Sequence, residues 1–429
     1  MIRHMPIPVY FGFRVASGLV LLKLSTQFLP VQDFASFAQL LAFSSLLNMA
    51  VVGGAQNGLI RQAAAATGEL ELAQVHGAGL AIWLAAVPLI GLPVVLLSRP
   101  ISHILTGTGD YWAVIIALAA LSLAAGPGQV CWSVLSGRQR ITRSLGAQTL
   151  GLIAGTAASA WFILRGDFVG GALAFAAGPL ISSVAAVSFI AQLHLRWRPA
   201  TEMVRPLLGY SAAMASTLGF TALTLFALRW DYREHFGATE LGYWLAANRI
   251  SDMSTQLLGL FMLQAFVPQV AAIGDDNRRA RLIVRYGMAG AALTGLGLLL
   301  FLAAGRPLVH LFLSDAFLPA IPGIRLYMLG DCLRIWASLA MFTAFAAGKP
   351  GRYARIEIAT MALMAGLTLL LVADGVRLAP QLAYVTAYAT TALVLALRLL
   401  LSSDLQLQGL SLPHGVRRRR LRDSAPRPR

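Results

Sequence analysis

The chain has 429 residues, of which 57% are hydrophobic and only 12% charged, and its mean hydropathy is +0.70. A soluble domain carries about 25% charged residues, so a soluble enzyme or regulator is excluded. The formal net charge of +16 would suggest nucleic acid in a soluble protein. In a membrane protein the same excess marks cytoplasmic loops, and no nucleic-acid motif accompanies it here.

A spanning helix needs about 20 mostly apolar residues. Such runs recur at 6–29, 34–58, 74–97, 111–136, 145–164, 169–193, 207–230, 240–268, 286–305, 321–346, 355–373 and 381–401. The expected fold class is therefore an all-α polytopic membrane protein with about twelve transmembrane helices. The first run lacks a small-residue cleavage site and a second span follows at once, so it reads as a span rather than a signal peptide. Gly126-Pro127-Gly128 interrupts the fourth run. Proline removes a backbone donor and kinks a helix, so a kink is expected there, either a static packing kink or a hinge used in alternating access. Cys131 and Cys332 are the only cysteines, both inside apolar runs. They read as two thiols, not as a disulfide or a metal site.

An even number of spans places both termini on one side. Loops on that side hold 22 basic residues, from Arg3 through the Arg138–Arg140–Arg143 cluster to the seven arginines of the tail, against 5 on the other side. The five are Arg99, Arg165, Arg233, Arg306 and Arg377. Lys and Arg resist translocation, so both termini are expected in the cytoplasm.

The chain also repeats itself. Arg99-Pro100-Ile101-Ser102-His103 ends the third span and Arg306-Pro307-Leu308-Val309-His310 ends the ninth, an offset of 207. The same offset carries Asp33-Phe34 onto Glu240-Leu241, and Gly137-Arg138 meets Gly348-Lys349 at 211. Six spans per repeat is an even number, so the halves point the same way, as in parallel-repeat transporters. The expected units are a six-helix lobe over 1–200, a second over 201–402 and a basic cytoplasmic tail over 403–429, with His194–Pro206 as the link. The tail, with Arg417 to Arg420 in a row, suits anionic lipid.

Ionisable residues near the bilayer centre cost roughly 2.5–3.5 kcal/mol on insertion scales and are candidates for function. The first half has Arg14 and Lys23, both in span one, and no buried acid. The second has Arg249 and Asp252 in span eight and repeats the spacing with Asp331 and Arg334 in span ten. Residues three apart share a helix face, so each pair can neutralise itself, and Asp331–Arg334 reads first as an internal structural pair. Lys23 and Arg325 could instead snorkel to the outer interface, and Arg229 and Arg398, at span ends, are expected to do so. Asn48 and Asn248 add polar surface on spans two and eight. His103 and His310 match in the repeat and read as structural. No P-loop occurs, because Gly348-Lys349-Pro350 reads as a turn, and the outer loops are too short for a large catalytic site.

The stretch Glu240-Leu241-Gly242-Tyr243-Trp244-Leu245-Ala246-Ala247-Asn248-Arg249-Ile250-Ser251-Asp252, with Phe266-Val267-Pro268 closing the span, resembles span eight of Wzx-type polysaccharide flippases. With the twelve-span repeat it is similar to the multidrug/oligosaccharidyl-lipid/polysaccharide exporter superfamily. The resemblance implies two six-helix lobes around a cavity lined by spans one, two, seven and eight. It implies a flippase that carries an undecaprenyl-diphosphate-linked oligosaccharide between leaflets of the bacterial inner membrane. Arg14, Lys23, Arg249, Asp252, Asn48 and Asn248 are the substrate-binding candidates, with Asp331 and Arg334 in reserve, and no cofactor or catalytic residue is expected. Asp252 would hold the Arg249 guanidinium while the cavity is empty. The polyprenyl-diphosphate-linked glycan is the expected partner, joined by polysaccharide polymerase machinery and a coupling proton or sodium ion. A drug/cation antiporter of the same superfamily and a membrane enzyme of glycan assembly remain alternatives. The topology is testable: reporters fused after Arg143 and after Arg429 should be active only as cytoplasmic reporters, and periplasmic activity at either site would overturn the span count.

Overall fold

The computed structural model describes residues 6–52, 55–191, 201–262, 266, 269–270, 273, 276–346 and 350–409. All regular structure among them is helical. The order is α1 (Pro6–Phe28), α2 (Val31–Val51), α3 (Gln56–Ala65), α4 (Glu69–Leu96), α5 (Ser98–Thr106), α6 (Trp112–Ala124) and α7 (Gly126–Gly137). It continues with α8 (Ile141–Ile163), α9 (Phe168–Ala191) and α10 (Thr201–Phe261), which bends at Gly237. Then come α11 (Asp276–Phe312), a 3-10 turn at Asp315–Ala320, α12 (Ile321–Ala346), α13 (Pro350–Ala373) and α14 (Ala379–Gly409).

Among the described residues each expected span is made mainly of helix, so the polytopic all-α class holds. Eight helical stretches among the described residues are long and apolar enough to cross a membrane by composition alone. The other four spans are α1, α8 and the two arms of α10. Their polar content lowers the hydropathy: Arg14 and Lys23 on α1, Arg143 and Gln148 on α8, Arg229 on the first arm, and Asn248, Arg249 and Asp252 on the second. Three of these four carry the charges that could do chemistry.

Loops between odd and even spans gather at one end. Lys23 reaches His310 and Leu313, Tyr111 stacks edge-on against Phe168, and Tyr232 and Glu240 both meet Arg377. We call this end distal and the opposite one, where α1 begins and α14 ends, terminal. The link expected over His194–Pro206 is shorter than expected, because Thr201 already starts α10. Met203, Val204 and Leu207 then pack on the core of the first half. Residues 194–200, Lys349 and the tail beyond 409 lie outside the described residues.

Spans break where the sequence removes backbone donors or supplies glycine. Span two ends as α2 at Val51 and resumes as α3 at Gln56, rather than running straight over 34–58. Span four breaks at Ala125, and Pro127 opens α7. Proline leaves the carbonyl four residues earlier without its donor. That carbonyl, Leu123, accepts the Trp83 indole N–H at 2.8 Å. A Cβ on Gly126 would sit 2.1 Å from Trp83, and one on Gly128 would sit 2.1 Å from Ser183. The Gly128 N–H is also bound by the Ser183 hydroxyl at 2.8 Å. The break is thus tightly packed on both sides.

The repeat is visible in these breaks. The third span breaks at Leu97 (φ −102°, ψ 13°) and the ninth at Ala304 (φ −131°, ψ 36°), again 207 residues apart. In the ninth, Arg325 donates from Nε to Phe301 O (3.1 Å) and from Nη2 to Leu302 O (3.2 Å). These are carbonyls the kink releases, so Arg325 caps a helix break instead of snorkelling. Replacing Trp83 with Phe keeps the ring and removes the donor to Leu123. It should cost about 1–3 kcal/mol, the price of a buried unpaired carbonyl. Gly128→Ala should cost more, both read as lowered unfolding midpoints in detergent.

Candidate functional site at the seam between the halves

The halves meet along α1, α2 and the two arms of α10. At the distal end the seam is closed. Gly242 lies so near Val31 that a Cβ would fall 2.6 Å from its carbonyl oxygen. Phe34 packs edge-on against Phe317 with centroids 5.1 Å apart. Leu22, Phe34 and Ala35 of the first half belong to the same buried core as Leu241, Trp244 and Leu245 of the second. One turn further in, Gly18 of α1 faces Met253 of α10, with a Cβ position 3.5 Å from its terminal methyl.

Arg14 lies one turn from Gly18 toward the terminal end, on the same stripe, and is exposed. Arg249 lies one turn from Met253 toward the distal end and is exposed too. Levelled on the Gly18–Met253 contact, the two guanidinium-bearing residues stand about 12 Å apart along the axis at 1.5 Å per residue. Asp252 and Asn248 are half-buried. The Asp252 carboxylate takes its hydrogen bond from the Asn248 amide at 2.8 Å. It does not serve as the clasp on Arg249 that the spacing suggested: an amide one turn back on the same face reaches it, and the arginine head turns to solvent. The charges of Arg249, Arg334 and Arg229 all act on Asp252, so one acid sits among three cations.

Arg229 was expected to snorkel at a span end. Instead it is 9% exposed, with Nη1 donating to Gln39 Oε1 of α2 at 3.3 Å. Arg229 Nε and Gln39 Nε2 are both buried without a partner among the described residues. The sequence signal was faint: Arg229 ends an apolar run, and only the bend at Gly237 (φ 85°) shows how deep the helix carries it.

Lys23 is half-buried, and its ammonium donates to His310 O and Leu313 O, each at 2.6 Å. These carbonyls end α11. The amine is therefore bound to backbone of the other half, so in this structure Lys23 is an inter-half contact. Asn48 is also placed elsewhere. Its amide donates to Ser44 O (2.9 Å) and its oxygen accepts from Gln129 (3.3 Å), which in turn accepts from Gln56 (2.9 Å). This neutral chain binds the broken spans two and four within the first half.

Asp331 is fully buried. It accepts from Ser251 Oγ at 2.9 Å and from Tyr384 Oη at 2.7 Å. Arg334 donates to the same Tyr384 oxygen at 3.2 Å and lies 5.4 Å over the Tyr388 ring. The pair expected from spacing is thus relayed through a tyrosine of α14, which ties α10, α12 and α14 together. The Tyr232 hydroxyl donates to Arg377 O at 2.7 Å. Cys131 and Cys332 are both free.

A family model described as polysaccharide biosynthesis protein matches residues 26–322. The chain belongs to this family. Comparison with curated sequences found no match. Among solved structures, an inward-facing multidrug resistance MATE family transporter of the MOP superfamily superposes with TM-score 0.72 at 14% identity, covering 96% of this chain and 99% of the other. The lipid II flippase MurJ in an inward closed conformation gives 0.71 at 10% identity, covering 93% and 87%. An outward-facing MATE family transporter gives 0.59 at 14% identity, covering 94% and 95%. The chain shares the fold of these transporters, and the resemblance read from span eight agrees with that. This polysaccharide biosynthesis family member is a multi-pass membrane protein.

The relayed acid can be tested directly. Asp331→Leu removes the acceptor of the Ser251 and Tyr384 hydroxyls and the buried acid that Tyr384 links to Arg334. It should lower stability by about 3–5 kcal/mol, and Tyr384→Phe by about 1–3 kcal/mol, measured as unfolding of the purified protein in detergent.

Proposed function

We propose that the protein is a flippase that moves a polyprenyl-diphosphate-linked oligosaccharide from the cytoplasmic to the periplasmic leaflet of the bacterial inner membrane, with both termini cytoplasmic. The observation that carries this reading is the pair of exposed arginines, Arg14 and Arg249, on facing stripes of a seam whose distal end is closed. A guanidinium binds phosphate oxygens bidentately, and in a low-dielectric cleft that contact is stronger than in water. A separation of about 12 Å along the axis suits an extended headgroup, with the diphosphate on one arginine and an acidic sugar or the second phosphate near the other. Asn248 and Asp252 would hold the rim of that site. The family supports a role in polysaccharide assembly, and the MOP fold supports alternating access between two halves.

In this reading the two lobes are residues 1–200 and 201–402. In this reading the close packing at the distal end corresponds to an inward-facing state. A cation antiporter would want acids on the facing stripes, and the first half places none there.

The test is a strain deleted for this protein, complemented with variants at matched membrane levels. Lipid-linked oligosaccharide trapped on the cytoplasmic leaflet is the readout. Arg14→Ala and Arg249→Ala should each abolish complementation. Arg249→Lys should restore part of it, because the charge remains and the fork is lost. Asp252→Asn should weaken flipping less than Arg249→Ala. Wild-type flipping by the Arg14→Ala, Arg249→Ala double variant would sink the anionic-headgroup site.

A further inference from the structure

Two cations cross the seam at the distal end, and they do so reciprocally. Lys23, on the first helix of the first half, donates to His310 O and Leu313 O of the second. Arg233, on the first helix of the second half, donates from Nη1 to Leu105 O of the first at 3.2 Å. The acceptors are equivalent in the repeat. Subtracting the offset of 207 maps 310 and 313 onto 103 and 106, which bracket Leu105. Both sets close a short helical segment that follows a break, α5 in one half and the end of α11 in the other. The last carbonyls of a helix have no donor of their own and carry its negative dipole end, so a cation there is favoured.

The surroundings fit this use. Gly107 takes φ +81°, and a Cβ there would lie 2.6 Å from the Arg233 guanidinium. The left-handed glycine both ends α5 and makes room for the arginine. On the other side, Ser314 Oγ donates to Thr26 O at 2.5 Å, one turn from Lys23. Among the described residues, neither cation meets an acid across the seam. Each is spent on carbonyls that would be stranded if the halves parted without solvent or a new donor.

We infer that Lys23 and Arg233 form a reciprocal lock, each half capping the open helix end of the other, and that both caps must release for the distal end to open. The inference rests on the alternating-access reading above. A neutral partner makes such a lock firm enough to seal yet free of a buried ion pair, whose rupture would strand two charges. When the halves part, the carbonyls and the cations are both met by water entering the opened cleft.

The experiment uses the full chain in lipid nanodiscs, with Cys131 and Cys332 replaced by Ala. Spin labels go on Thr108→Cys and Asp374→Cys, exposed positions in distal loops of opposite halves. Electron–electron resonance then reads short (closed) and long (open) distances. Lys23→Met and Arg233→Met should each raise the open-to-closed ratio about tenfold, as expected for one charged hydrogen-bond set. The double variant should raise it by about the product. Lys23→Arg and Arg233→Lys keep the donors and should keep the parent distribution, which separates a lock from a general packing role. An unchanged ratio in either Met variant would overturn the lock. Ratios that shift as expected in a protein that flips no lipid would refute the transport reading and leave the lock intact. Flipping with unshifted ratios would do the reverse.

Discussion

In the hydrocarbon core of a bilayer a backbone carbonyl without a donor has no water to turn to. A straight helix meets this rule by itself, and a broken one does not. This molecule breaks several of its spans, and nearly every side chain of note answers one of the breaks. Trp83 serves the carbonyl freed by Pro127. Arg325 serves those freed at Ala304. Lys23 and Arg233 serve helix ends in the opposite half. The breaks give the bundle its shape, and the donors that repair them decide which parts are welded within a half and which are joined across the seam.

That division also sorts the cations. Within the spans a positive charge is costly unless it is used. Lys23 and Arg325 are used on backbone, Arg229 on Gln39, and Arg334 on Tyr384. Arg14 and Arg249 are the two candidates left facing outward from exposed positions. In the function proposed above, a ligand with phosphate oxygens would supply what the protein withholds from them. The second half, with Asp331 tied to Ser251 and Tyr384, is cross-braced by its polar residues. The first half is braced by neutral amides, Asn48, Gln129 and Gln56, and by close glycine packing at Gly128.

The apolar runs made the spans legible, because length and hydropathy alone decide them, and the 207-residue offset was legible because it recurs at helix ends. The offset reappears as the spacing between the breaks at Leu97 and Ala304. The breaks in spans two and four were only partly legible. Pro127 announced one of them, while the other interrupts a run that reads as continuous. The roles of Lys23, Arg229 and Arg325 were not legible at all. Their partners are carbonyls and an amide, which every residue or many residues could offer, and those partners lie in distant sequence. Spacing rules see charged pairs one turn apart, and so they suggested Arg249 with Asp252. The neighbour that won was Asn248, next to Arg249 and one turn back from Asp252.

The chain has two lysines among its 34 basic residues, and Lys23 is the one of them within the described residues. A primary amine that donates to two carbonyls is held in place, and a reagent reaches it less readily. The same amine facing water is an ordinary nucleophile. Under the proposed topology and alternating access, the scarcity of lysine gives the protein a built-in chemical reporter: an amine-reactive reagent that cannot cross the membrane would mark the opening of the distal end at Lys23, in unmodified protein and in intact cells.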